Sequence, residues 1–157
     1  MTDTPETANL DQLREIFSAI PHCRELGLKI VSLEPGSASI KLEYQDRLIA
    51  NPETGVVHGG VISTLLDTVS GLCAMSTISE TTPVATLDLR IDYLRPATPG
   101  RAIIGAAGCF RLTNSVAFIR GAAHHDDDSD PIAHSMGTFM LGAAGFTSEK
   151  NKANLTC

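Results

Sequence analysis

Residues 56–75 read VVHGGVISTLLDTVSGLCAM, and the spacing of their apolar positions organises everything around them. Val61, Ile62, Leu65, Leu66, Val69, Leu72 and Cys73 recur at intervals of three and four, which predicts a helix from His58 to about Ile78. Apolar side chains wrap more than half of its circumference, so this helix is expected to be buried. Asp67 sits in its middle, against that oily character. On a helical wheel it shares a sector with Gly60, Ser63, Thr64, Ser70 and Gly71, all of them small. An unpaired buried carboxylate is costly, so Asp67 is either a structural acid capped by nearby hydroxyls or the wall of a wet cleft.

His58-Gly59-Gly60, which opens the same helix, bears on that choice. Backbone N–H groups at a helix N-terminus lack intrahelical partners and the macrodipole is positive there, so the end suits developing negative charge. Glycine removes the side chain that would block a reacting carbonyl. HGG followed by an acid nine residues after the histidine supplies a place for an oxyanion and a base for water.

Working outward, Leu13, Ile16, Phe17 and Ile20 predict a short amphipathic lid helix over Leu10 to Ile20, capped by Asn9 or Asp11 and stopped by Pro21. Leu26 to Leu33 and Ala38 to Tyr44 alternate in polarity around Glu34-Pro35-Gly36, as a hairpin does. Asn51 to Gly55 reads as loop. After the helix, Ala85 to Leu94, Arg101 to Leu112, Ser115 to His125 and Ile132 to Leu141 read as four more strands. Two strands, a long buried helix and four strands make one α+β domain, with a core at about 26–142 and flexible tails.

The composition agrees with one soluble domain. Hydrophobic residues make up 43% against 19% charged, and aromatics are only 4% with no Trp, so the core must be built from aliphatic and small residues. Twelve basic and 18 acidic residues give a net charge of −6 with no Lys/Arg block, which argues against nucleic acid. Cys23, Cys73, Cys109 and Cys157 show no CxxC spacing, and the start MTDTPETANL resembles no signal peptide, so reduced thiols in a cytoplasm are expected. No apolar run approaches a membrane span.

The segment from Gly55 through VVHGGVISTLLD, with later strands ATLDLRIDYLRPA and AHSMGTFML, resembles the hotdog-fold acyl-CoA thioesterases of the phenylacetate-degradation (PaaI-like) branch. The likeness covers about Leu26 to Leu141. It implies a six-stranded curved antiparallel sheet wrapped around a long central helix, and homodimers, or homotetramers built as dimers of dimers, with active sites at the interface. It implies an acyl-CoA substrate, coenzyme A being part of that substrate, with no separate cofactor and no metal. By position, Gly59 N–H polarises the thioester carbonyl, His58 shapes that end of the site, and Asp67 of the other subunit activates water or, as the second alternative, attacks the carbonyl itself. Asn51 and Thr86 match residues that place water or substrate. Where the family has a basic turn after the fourth strand, this chain has Leu112-Thr113-Asn114-Ser115. Arg95 and Arg111 are the candidates for meeting the coenzyme A phosphates, beside Gly60 at the coenzyme A site, though both arginines read equally as surface salt-bridge residues, and the thioester is one of coenzyme A or of another acyl carrier. The other readings are a non-catalytic acyl-CoA sensor and a hotdog dehydratase or hydratase.

Asp126, Asp128 and Asp130 fall at calcium-loop positions one, three and five, but Pro131 and Gly137 stand where Gly and Glu are required, which leaves a solvated turn. His22 and His134 read as packing or surface residues, Met75 and Met136 as gap fillers in the core, and Tyr93 as core packing or a cap on an acyl tunnel. No GxSxG elbow is present.

Overall fold

A computed structural model describes residues 5–79 and 81–143, the side chains of 5–9 excepted. Two helices, α1 (Pro5–Ala19) and α2 (Pro21–Leu26), precede a hairpin of β1 (Lys29–Glu34) and β2 (Ser37–Leu42). A 3-10 turn (Asp46–Leu48) and a small ribbon of β3 (Ile49–Asn51) and β4 (Val56–Val57) lead into α3 (Gly59–Met75). Four strands follow: β5 (Val84–Tyr93), β6 (Ile103–Leu112), β7 (Val116–His124) and β8 (Ala133–Leu141). The main sheet is antiparallel in the order β1-β2-β6-β7-β8-β5, with α3 packed across it. This is the expected hotdog architecture.

The packing shows why small residues dominate this core. Leu65, Leu66, Val69 and Cys73, all 0% exposed, turn toward the sheet, where Ala38, Ala107, Ala117, Ala123 and Ala133 receive them. A Cβ at Gly105 would lie 2.8 Å from Leu65 Cγ, so glycine lets the helix sink to this depth. Leu65→Ala removes a side chain with no exposed surface and is worth about 2–5 kcal/mol on that ground.

Several boundaries differ from the sequence reading, each for a local reason. The first helix begins at Pro5, not Leu10, and Pro21 opens α2 instead of simply ending a helix. Proline is suited to a first helical turn because its missing N–H is one the helix would leave unpaired. Leu26 therefore ends a helix; Gly27, at φ 69°, closes it by donating to Arg24 O, and β1 starts only at Lys29. The loop at 51–55 is the tip of the β3–β4 ribbon. Met136 is 49% exposed on the sheet's outer face, not a core filler. Cys157 lies outside the described residues, whereas Cys23, Cys73 and Cys109 are free thiols. Burial pushes the Cys73 thiol up to about 12.

Candidate active site

The tip of α3 is built locally. His58 is the N-cap residue, and its Nδ1 accepts from Gly60 N–H at 2.9 Å, while its carbonyl accepts from Val61 N–H at 2.9 Å. An accepting Nδ1 fixes the neutral ring as the Nε2–H tautomer. Gly59 N–H makes no hydrogen bond among the described residues. It is an unpaired donor at the positive end of a 17-residue helix.

Tyr93, at the end of β5, clasps this tip. Its Oη donates to the Gly59 carbonyl at 3.0 Å and lies 2.6 Å from Ser63 Oγ, and its ring stands 3.7 Å from where a Gly59 Cβ would project. At 50% exposure in the single chain it stands outside the core, contrary to the packing expectation, and it does not line the cleft beside Asp67.

Asp67 is held differently. Thr86 Oγ1 donates to its Oδ1 at 2.8 Å. The helix hydroxyls beside it do not cap it: Ser63 Oγ and Thr64 Oγ1 donate back to the Gly59 and Gly60 carbonyls, and Ser70 is turned into the core at 1% exposure. Asp67 is half-buried in the wall of a cleft of about 230 Å³ whose other walls include Leu13, Phe17, Leu72, Met75 and Phe139. A carboxylate with one donor among the described residues, opening on an apolar cleft, retains acceptor capacity for a water or a reacting group.

Gly59 and Asp67 are eight residues apart on one helix, about 12 Å along its axis. An oxyanion donor sits about 3 Å from the oxygen and an attacking atom about 3–3.5 Å from the carbon, a direct reach shorter than this axial separation.

The other expected residues divide. Asn51 Oδ1 accepts from Glu53 N–H at 2.9 Å, so its side chain is committed to its own turn, just before the helix tip. Gly60 lies on the tip. Arg95 pairs with Asp130 at 3.0 Å. Arg111 lies at the far end of β6; nearby Cys109 N–H donates to Gly36 O, and Gly36 N–H to Ser76 Oγ at the opposite end of α3. The acidic turn is spent on ion pairs and caps, Asp126 with Arg101 and Asp127 with Ser129, and the latter contact holds the Asp127 carboxyl below its usual range.

Sequence reasoning missed three contributors. His22 lines both the Asp67 cleft and a second cleft that holds Arg47, His58, Gly60 and Thr64. Arg47 lies in that second cleft, and Tyr93 clasps the tip. Pro21 hinted that the chain turns before His22, which stays exposed where it borders both clefts, as a surface residue would. A broader trough of about 750 Å³ on the outer face, lined by Arg90, Arg120 and Met136, contains none of the expected site residues.

Residues 54–132 match the family model described as Thioesterase superfamily. A medium/long-chain acyl-CoA thioesterase, YigI, of Salmonella typhimurium is 32% identical over 136 residues, spanning 78% of this chain and 86% of its own length. The chain belongs to the thioesterase superfamily. A crystal structure of a Pseudomonas aeruginosa protein superposes with a TM-score of 0.76 at 44% identity, over 83% of this chain and 97% of that one. The PaaI protein of E. coli shares the fold, with a TM-score of 0.77 over 88% of this chain and 96% of its own, at 17% identity. In this superfamily member no helix among the described residues is long and apolar enough to cross a membrane.

Proposed function

We propose that this chain hydrolyses acyl-CoA thioesters in sites completed by two copies of itself. The observation that carries the reading is Asp67: a half-buried carboxylate oriented by Thr86, opening on an apolar cleft in a chain of the thioesterase superfamily. The similarity to a medium/long-chain acyl-CoA thioesterase supports the substrate class.

In the reaction Asp67 takes a proton from water as the water oxygen bonds to the thioester carbon. The carbonyl electron pair moves to oxygen, where Gly59 N–H of the second chain stabilises it. Collapse breaks the carbon–sulfur bond, and the proton on Asp67 passes to the leaving thiolate. Helix end and base each supply a recognised share of rate, about 10² to 10³ and 10² to 10⁴. The edge of β5 supports docking of the second copy there: among the described residues β5 pairs with β8 alone, and Leu87 and Tyr93 are exposed on it, with Leu94 just beyond. His58 Nε2–H, Asn51 and Gly60 border the carbonyl, and Arg95 or Arg111 meets the phosphates.

Thiol release from a panel of acyl-CoAs, run with wild type and Asp67→Asn, tests this. The reading predicts turnover by wild type and a loss of about a hundredfold or more in the isosteric variant. Binding without thiol release by wild type identifies a sensor instead, and near-full turnover by Asp67→Asn removes the role given to the acid.

A further inference from the structure

We infer that the acyl group is a straight aliphatic chain lying along α3 from Asp67 to Met75, and that Gly71 sets the length admitted. This rests on the hydrolase reading. The cleft beside Asp67 follows one face of the helix: Asp67, Thr68, Gly71, Leu72 and Met75 line it in order. From Asp67 to Met75 is eight residues, about 12 Å, room for an extended chain of roughly eight carbons. Beyond the carboxylate end, walls and roof are mostly apolar, with Val84 and Phe139 from the sheet and α1 above.

The roof accounts for the amphipathic pattern of α1. Leu13 and Phe17 are 1% and 6% exposed, whereas Ile16 and Ile20, in the same lining, are 36% and 39% exposed. Half-exposed isoleucines over an apolar channel lose water contact when a hydrocarbon enters, which favours binding in proportion to the area covered. The polar end of the occupant is fixed by Asp67, so the apolar end must point toward Met75. A short aryl-acetyl group would leave that end unfilled and forfeit its contacts.

Gly71 is midway along this path. A Cβ built there meets only Phe139 Cε1, at 4.0 Å, so the space beside it belongs to the cleft and not to the core. A Cβ at this position fits without displacing a neighbour, and the atoms of a longer side chain have the channel to enter. Met75, a flexible and half-buried side chain, closes the far end.

The test is the ratio of kcat/KM for octanoyl-CoA to that for butyryl-CoA in wild type, Gly71→Leu and Met75→Ala. Because each ratio is internal to one preparation, partial loss of folding does not move it. Gly71→Leu is expected to lower the ratio at least tenfold, and Met75→Ala to move the preferred length toward dodecanoyl-CoA. Unchanged ratios in both variants overturn the inference while leaving hydrolysis intact, and so does a preference of wild type for phenylacetyl-CoA over octanoyl-CoA. A wild type that releases thiol from no ester sinks the hydrolase reading itself.

Discussion

At the tip of α3 the cap is local: His58 holds Gly60 N–H and Val61 N–H from two and three residues away, and Tyr93 steadies the Gly59 carbonyl from outside. Asp67, on the same helix, receives nothing from its own helix and is oriented by Thr86, 19 residues on in β5. The tip is a backbone site that almost any well-capped helix would provide, whereas the acid is a side-chain site that exists only when the sheet has formed. One strand, β5, touches both, so its seating against α3 sets the two poles together.

Substitutions that separate the poles sharpen this contrast. The largest effect after loss of Asp67 itself is expected at the tip. Gly59→Pro deletes the unpaired N–H and adds a ring at the tip, and the helix accepts it: proline is favoured at a first helical position, and His58, at φ −63° and ψ 134°, already has the conformation a following proline requires. Thiol release should fall about 10² to 10³-fold with circular dichroism unchanged. A loss under threefold would show that the helix end bears no charge in the transition state.

Thr86→Val keeps the shape of its side chain and removes the donor to Asp67. Turnover should fall about tenfold, mostly in kcat, in line with loss of one hydrogen bond to a charged group. Smaller still is Tyr93→Phe, which keeps the ring against Gly59 and removes the Oη contacts with the Gly59 carbonyl and Ser63 Oγ. A fall of about threefold, without change in melting temperature, is expected for one neutral hydrogen bond at an exposed site. If Tyr93→Phe proved more damaging than Thr86→Val, the ranking of the poles would be reversed.

The helix, the six strands and the HGG-to-Asp spacing were all legible because they rest on local periodicity. The pairing of Thr86 with Tyr93 was not. They are seven residues apart, and strict alternation would place them on opposite faces of β5. A bulge between Thr86 and Asp88 shifts the parity, so both face α3, and Leu87 is left 54% exposed. Nothing in the composition of that strand announces the extra residue. Which hydroxyl would serve Asp67 was hidden for a related reason. Ser63 and Thr64 stand at the right offsets, but a helical hydroxyl bonds readily to the carbonyl four residues back, and both do so. Pro21 marked a boundary without saying which side the next helix lay on.

The claim that matters most is that Gly59 of one chain and Asp67 of another serve the same ester. Co-expressing Asp67→Asn with Gly59→Pro tests it directly, because a mixed dimer then holds one site with both groups intact. With random pairing, about a quarter of wild-type thiol release should return from two chains that are each nearly inactive alone. Release in the mixture no greater than the sum of the separate variants would contradict the shared site.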